Sequence, residues 1–139
     1  MALESNNAVS VIETEDEFVF IPSRTNKSIE VIFFQGGLTD PKAYAPLCRN
    51  IAQNGFRYQL IKMAWRLPLY DYRKVESLLD LKSRRFVIDG HSQGAKMAAH
   101  IYLRNGQFTE RIISFRHVTS TGYRSIEFGN SHFKGVCRA

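Results

Sequence analysis

A serine stands between two glycines at residues 90–94, in the order Gly-His-Ser-Gln-Gly. This pattern is typical of a sharp turn between a strand and a helix, which exposes the serine hydroxyl for nucleophilic attack. The apolar run Phe86–Asp89 predicts the strand, and the run Ala95–Leu103 predicts the helix. We therefore predict that Ser92 is a nucleophile that forms a covalent intermediate. In the simpler alternative, Ser92 only caps the helix.

Backbone N–H groups close to such a serine could stabilise the negative charge that develops on a substrate oxygen. The N–H of Gln93 begins the predicted helix, where backbone N–H groups have no helical partner. Gly37 and Leu38 follow the predicted strand Ile29–Phe34, and their N–H groups are expected at the same edge of a sheet. We predict Gln93, Leu38 and Gly37 as oxyanion donors. The alternative for the glycine pair is a simple turn.

A serine nucleophile needs a general base, which follows it in the chain in the order serine, acid, histidine. His100 lies eight residues further along the same helix, about 12 Å away at 1.5 Å per residue, and is excluded. His117 follows the predicted strand Arg111–Phe115, and His132 follows the last apolar run. Both remain candidates for the base.

The acid that would orient the base is harder to find. No aspartate follows Asp89, so the carboxylates that remain are Glu110 and Glu127. Glu110 precedes the strand Arg111–Phe115 and is expected at the wrong edge of the sheet. Glu127 lies within the predicted final strand Tyr123–Phe128 and is the candidate acid.

Strands and helices that alternate along the chain predict the α/β class, with a mostly parallel sheet covered by helices on both faces. Two early apolar runs predict an N-terminal antiparallel hairpin. A helix is predicted from Pro46 to Asn54, where Gly55 ends it, and a second one is predicted to be capped by Asp71. The apolar positions of that second helix are Val75, Leu78, Leu79 and Leu81. The hairpin runs are Ala8–Ile12 and Phe18–Ile21, and further strands are predicted over Tyr58–Met63 and Arg85–Ile88.

The composition predicts one globular domain over residues 1–139 with a net charge of +6. Residues 1–17 hold five acids and no base, so the remainder carries 19 bases against 8 acids. The bases are scattered, and we predict no nucleic-acid partner. No apolar stretch or leader pattern indicates a membrane segment, which predicts a cytoplasmic location. Cys48 and Cys137 lack metal-site spacing, so no metal is predicted, and Cys48 is expected to be buried.

The stretch from Ile32 to Leu103 resembles the α/β-hydrolase superfamily, and within it the short, dienelactone-hydrolase-like bacterial group. The resemblance rests on four motifs: Gly36-Gly37, residues 40–47 (DPKAYAPL), Lys62-Met63 and residues 90–99 (GHSQGAKMAA). It implies hydrolysis of a small-molecule ester or thioester through an acyl-serine, without a metal or an organic cofactor. The fold it implies is a compact or truncated α/β-hydrolase fold.

The same resemblance favours His132 as the base, because the group's catalytic histidine follows an Ile-Glu-Gly-Gly-Asn-like stretch. Here Ile126–Asn130 takes that place, and His132 comes one residue later than in the group. The group's strand and aspartate between Phe115 and the last strand are missing. This shortening predicts an exposed sheet edge near Ile112–Phe115 that could pair in a homodimer.

Two further expectations concern function. Because neither Glu110 nor Glu127 is well placed to act as the triad acid, the alternative to an enzyme is an impaired or inactive hydrolase-fold protein that serves as a binding module. In an active enzyme, the loop after the Tyr58–Met63 strand could line an apolar acyl pocket, although aromatic clusters are also typical of ordinary packing. The residues concerned are Trp65, Leu67, Leu69 and Tyr70.

Overall fold

Seven strands form one sheet in the computed structural model, which describes residues 1–25, 28–78, 85–105, 111–119 and 122–128. From one edge to the other, the strand order is β1-β2-β4-β3-β5-β6-β7. The strands are β1 Val9–Glu13, β2 Glu17–Pro22, β3 Ile29–Phe34, β4 Arg57–Ile61, β5 Arg85–His91, β6 Arg111–Thr119 and β7 Gly122–Phe128.

The centre of the sheet is parallel, and antiparallel strands flank it. Strand β3 pairs in parallel with β4 and β5, and β5 pairs in parallel with β6. The β1–β2 hairpin is antiparallel, and β2 is antiparallel to β4. The predicted α/β class and the N-terminal hairpin are therefore confirmed. Because parallel strands share a direction, the carboxyl ends of β3, β4, β5 and β6 lie at one edge.

Apolar side chains cover both faces of the sheet, as the continuous β-branched and aromatic strands require. On one face, Ile32 and Ile88 pack against Ala98 and Ile101 of α4, which spans Gln93–Asn105. On the other face, strand residues pack against helix α1, Ala45–Gln53. The α1 residues in that second cluster are Ala45, Cys48 and Ala52. The prediction of helices on both faces is confirmed.

Helix α1 forms where the sequence predicts it. Its first turn contains Pro46, and the chain leaves the helix through Gly55 at φ 94°, a conformation that favours glycine. A short 3-10 helix, Pro41–Tyr44, precedes it and is capped by the Asp40 carboxylate, which accepts the N–H of Lys42 at 2.9 Å. Cys48 is buried as expected, and burial raises the pKa of its thiol far above the usual range.

The helical segment predicted after Asp71 begins further upstream, at Pro68, and the predicted cap is wrong. Two short helices, α2 (Pro68–Asp71) and α3 (Val75–Leu78), are separated by a 3-10 turn. The Asp71 carboxylate caps neither helix: it accepts the Ala64 N–H at 2.8 Å and pairs with Lys74 at 3.0 Å. A proline opens the first helix before Asp71, which moves the helix start upstream. Leu79 and Leu81 lie outside the described residues.

The C-terminal strands differ from the prediction. Strand β6 continues to Thr119 and pairs antiparallel with β7, so His117 lies within a strand instead of just beyond one. Two residues separate β6 from β7, and a parallel pairing would require a crossover of a dozen or more. Strand β7 covers the edge at Ile112–Phe115, and the exposed edge predicted there is wrong. A homodimer as such stays a prediction. Within the described ranges, no helix is long and apolar enough to cross a bilayer.

Candidate active site

Ser92 forms the turn between a central strand and a helix by itself. Strand β5 ends at His91 and α4 begins at Gln93, which leaves one residue to reverse the chain. Ser92 has φ 53°, a left-handed conformation that costs a residue other than glycine about 1–2 kcal/mol. The Lys96 N–H donates to the Ser92 carbonyl at 3.3 Å, which fixes the first helical turn. The sharp turn predicted between a strand and a helix at Ser92 is confirmed.

Gly90 and Gly94 must be glycine, because a side chain at either position would collide with backbone atoms. A β-carbon at Gly90 would lie 2.7 Å from the Ala95 nitrogen. A β-carbon at Gly94 would overlap the carbonyl oxygens of Phe34 and Gln35, at the end of β3. Backbone atoms cannot swing aside as a side-chain tip can. The turn at Ser92 is therefore packed directly onto the carboxyl end of β3.

The loop after β3 lies beside the first residue of α4. A β-carbon at Gly37 would be 3.4 Å from the Cδ of Gln93, so this loop faces the Gln93 side chain. Among the described residues, no acceptor is bonded to the backbone N–H of Gly37 or of Gln93. Both groups belong to segments that meet at Ser92, and both are free to donate to a substrate oxygen.

Leu38 differs from the other two expected donors. Its N–H donates to the Arg66 carbonyl at 2.7 Å and is therefore engaged inside the protein. The loop that supplies this carbonyl is strained, with Trp65 at φ 51° and Arg66 at φ 57°. An ion pair between Arg66 Nη2 and Asp40 Oδ2 at 3.0 Å ties the loop to the segment after Leu38. The expectation that the Leu38 N–H points freely into the site does not hold in this structure.

Tyr44 connects the two loops of the site. Its hydroxyl lies 3.0 Å from the Gly36 nitrogen, which donates to it, and 3.0 Å from Nδ1 of His91. The interaction with Tyr44 engages Nδ1 of His91. Sequence reasoning did not assign a role to Tyr44. Its only signal was its position in the DPKAYAPL stretch that follows the two glycines.

Three apolar side chains of the segment after β4, Trp65, Leu69 and Tyr70, form an apolar rim at this edge of the sheet. Trp65, Leu69 and Tyr70 are 81%, 50% and 72% exposed, so ordinary core packing does not account for them. The N–H of Leu69 donates to Oε1 of Gln93 at 3.3 Å, which holds the rim close to the start of α4. Leu67, the fourth residue expected here, is half-buried. Its backbone carbonyl accepts the N–H of Tyr70 at 3.1 Å.

The structure describes the position of only one of the two candidate bases. His132 lies outside the described residues. His117 lies in β6 directly after Arg116, and Arg116 pairs with His91 of β5. His117 follows Arg116 within β6, and Ser92 follows His91 directly after β5, so His117 is at the edge of the sheet that carries Ser92. His100 is exposed on α4, with its ring 6.0 Å from that of Tyr72.

The candidate acid Glu127 is at the other end of the sheet. Strand β7 runs back along β6, and Phe128 pairs with Ile112 near the amino end of that strand. Glu127 is thus about four residues, or roughly 13 Å, from the level of Ser92 at 3.3 Å per residue. This register does not bring Glu127 to the Ser92 edge. Among the side chains that the structure describes, no group of three His, Cys, Asp or Glu residues could hold a metal ion.

A strained serine between a central parallel strand and a helix is the arrangement that defines the α/β-hydrolase fold. The model of the alpha/beta hydrolase family matches residues 30–123, more than half of the chain, and the chain belongs to this family. The finer resemblance to the dienelactone-hydrolase-like group stays a prediction. No curated protein matches the chain.

The solved structures that match this chain include the following three. A bacterial heroin esterase shares 18% identity at a TM-score of 0.52, over 76% of this chain and 43% of its own. A hypothetical protein of Pseudomonas aeruginosa PAO1 shares 18% at 0.49, over 81% of this chain and 45% of its own. Carboxylesterase CesB of Bacillus subtilis shares 14% at 0.45, over 81% and 44%. The chain therefore spans less than half the length of these structures.

Proposed function

We propose that the chain is a serine hydrolase that cleaves a small-molecule carboxylic ester or thioester, with Ser92 as its nucleophile. The observation that carries the proposal is the left-handed backbone of Ser92, at φ 53° between β5 and α4. A serine that only caps a helix has an extended backbone and needs no such strain. The free N–H groups of Gly37 and Gln93 beside it support the same function.

In the proposed reaction, the Ser92 hydroxyl oxygen attacks the substrate carbonyl carbon while a histidine takes its proton. The carbonyl oxygen becomes negative and is stabilised by the N–H groups of Gly37 and Gln93. The tetrahedral intermediate then expels the alcohol or thiol, which leaves with the proton from the histidine. Water attacks the acyl-serine in the same way and releases the acid. No metal or organic cofactor takes part in these steps.

A phosphonylating probe tests the nucleophile directly. We expect a fluorophosphonate to label the folded protein once, on the tryptic peptide of residues 86–96. This peptide follows Arg85 and contains Ser92 as its one serine, so mass spectrometry of the digest locates the adduct unambiguously. Heat-unfolded protein is the control and should remain unlabelled. A folded protein that stays unlabelled, or is labelled on another peptide, contradicts the proposal.

The base is proposed to be His132, on the resemblance, with His117 as the second candidate because of its place in β6. We expect alanine at the true base to slow labelling and the hydrolysis of p-nitrophenyl acetate by about 10²- to 10⁴-fold. The two variants, His132→Ala and His117→Ala, serve as controls for each other, and His100→Ala should match the unmodified protein. If neither His132→Ala nor His117→Ala slows the reaction, the proposed base catalysis is wrong.

A second candidate function is a hydrolase-fold binding protein without catalysis. The position of Glu127 at the far end of the sheet favours it, because no other carboxylate of the described strands β6 and β7 follows Ser92. A serine protease that loses its orienting carboxylate alone retains part of its rate enhancement, so a missing acid reduces activity without abolishing it. The labelling experiment separates the two functions, since a protein that only binds leaves Ser92 unactivated. A cytoplasmic location stays part of the proposal.

A further inference from the structure

The hydroxyl of Tyr44 joins the two segments that the proposed mechanism must keep together. It accepts the N–H of Gly36 at 3.0 Å and lies 3.0 Å from Nδ1 of His91. Gly36 precedes the oxyanion donor Gly37, and His91 precedes the nucleophile Ser92. The Tyr44 oxygen therefore links Gly36 to His91, and through them the loop of the proposed oxyanion donor to the turn of the proposed nucleophile.

The surroundings of Tyr44 hold this oxygen in place. The Tyr44 ring packs against Phe33 with 4.9 Å between the ring centroids, and against His91 with 5.9 Å. A β-carbon at Gly36 would lie 2.8 Å from the His91 ring nitrogen and 3.0 Å from the Tyr44 oxygen. Glycine at position 36 thus allows the close approach of three groups, and the aromatic ring has little freedom to move away.

We propose that Tyr44 is a positioning residue for the acyl transfer, which holds the loop of Gly37 at a fixed distance from the turn of Ser92. A tyrosine hydroxyl has one proton and two lone pairs. The oxygen accepts the Gly36 N–H with one lone pair, and in the proposed arrangement it donates its own proton to Nδ1 of His91, so that the imidazole proton is on Nε2. The inference rests on the proposed hydrolase function and adds to it a residue that does not contact the substrate.

The test is Tyr44→Phe, which keeps the ring and removes the oxygen. We expect kcat for p-nitrophenyl acetate to fall about tenfold while KM changes less than twofold, because an oxyanion donor acts on the transition state more than on the bound ester. The matched control is Tyr58→Phe. Tyr58 is buried in the same aromatic cluster, 6.1 Å from Phe33, but lies on β4 away from the two loops. Its kcat should equal that of the unmodified protein.

A spectroscopic measurement separates positioning from a general loss of stability. The ¹⁵N resonance of His91 Nδ1 should show a hydrogen-bonded, non-protonated nitrogen, and should shift in Tyr44→Phe but not in Tyr58→Phe. A change in protein stability alone leaves this ring nitrogen unaffected in the folded state. An Nδ1 that carries the proton in the unmodified protein overturns the assigned direction of the bond.

The results that would overturn the role of Tyr44 differ from those that would overturn the proposed hydrolase function. If the fluorophosphonate labels the unmodified protein and Tyr44→Phe at the same rate, Tyr44 has no positioning role and the serine mechanism stands. An equal fall of kcat in Tyr58→Phe also overturns the role of Tyr44. If the unmodified protein is not labelled, the hydrolase function fails, and with it the contribution of Tyr44 to catalysis.

Discussion

Ser92→Ala is expected to lower kcat for ester hydrolysis by at least about 10²-fold, the loss left for an enzyme without an orienting acid, and by about 10⁶-fold if an acid completes the triad. The proposed oxyanion donors remain in place, so the variant should bind a substrate ester while failing to form the acyl intermediate. The measurement is single-turnover hydrolysis of p-nitrophenyl acetate, together with fluorophosphonate labelling. Labelling should disappear completely.

The matched control is Ser77→Ala. Ser77 lies on α3, and its hydroxyl donates to the Lys74 carbonyl at 2.8 Å, away from the turn at residue 92. This variant should hydrolyse and label at the rate of the unmodified protein. Thermal unfolding of both variants checks that each is folded. Undiminished hydrolysis by folded Ser92→Ala would show that the activity does not depend on the proposed acyl-serine.

Gly94→Ala is expected to have the largest effect on the fold. The added β-carbon would overlap the carbonyl oxygens of Phe34 and Gln35, which belong to the backbone at the end of β3. Relief of the overlap requires α4 to move away from the sheet, together with Ala98 and Ile101 in the core. We expect a loss of about 3 kcal/mol or more in the free energy of unfolding, measured by urea denaturation.

Gly37→Ala is the control for Gly94→Ala, because it also replaces a glycine by alanine but adds the β-carbon where there is room for it. Its β-carbon would lie 3.4 Å from the Cδ of Gln93, near the end of a flexible side chain. We expect a change within about 1 kcal/mol in the free energy of unfolding, since the contact is an ordinary one and the N–H is retained. If both alanine variants are equally stable, the turn at Ser92 is not packed onto β3 as described.

The succession of the strands along the chain and the place of Ser92 after one of them could be predicted from local patterns. The continuous apolar run Ile29–Phe34 is typical of a strand buried on both faces. Glycines two residues before and after Ser92 are typical of the sharp turn, because side chains at these positions would collide there. Neither inference requires knowledge of distant contacts. Each depends on a pattern that a few neighbouring residues determine.

Two of the remaining features depend on contacts between distant segments. The engagement of the Leu38 N–H comes from Arg66, and two successive non-glycine residues with positive φ leave no mark in the sequence. The role of Tyr44 depends on His91, 47 positions away. The path of β7 is a local consequence of the two-residue link after β6, and it escaped prediction because β6 continues to Thr119 and not only to Phe115.

The bond from the Leu38 N–H to the Arg66 carbonyl makes the loops after β3 and β4 thermodynamically coupled. The left-handed conformations of Trp65 and Arg66 cost about 1–2 kcal/mol each and are held by a few contacts, among them this bond and the Asp40 ion pair. Any acceptor that competes for the Leu38 N–H therefore gains part of its affinity from the release of that stored free energy. The ion pair is exposed and screened by salt, so a higher ionic strength weakens one of the contacts that hold the two left-handed residues.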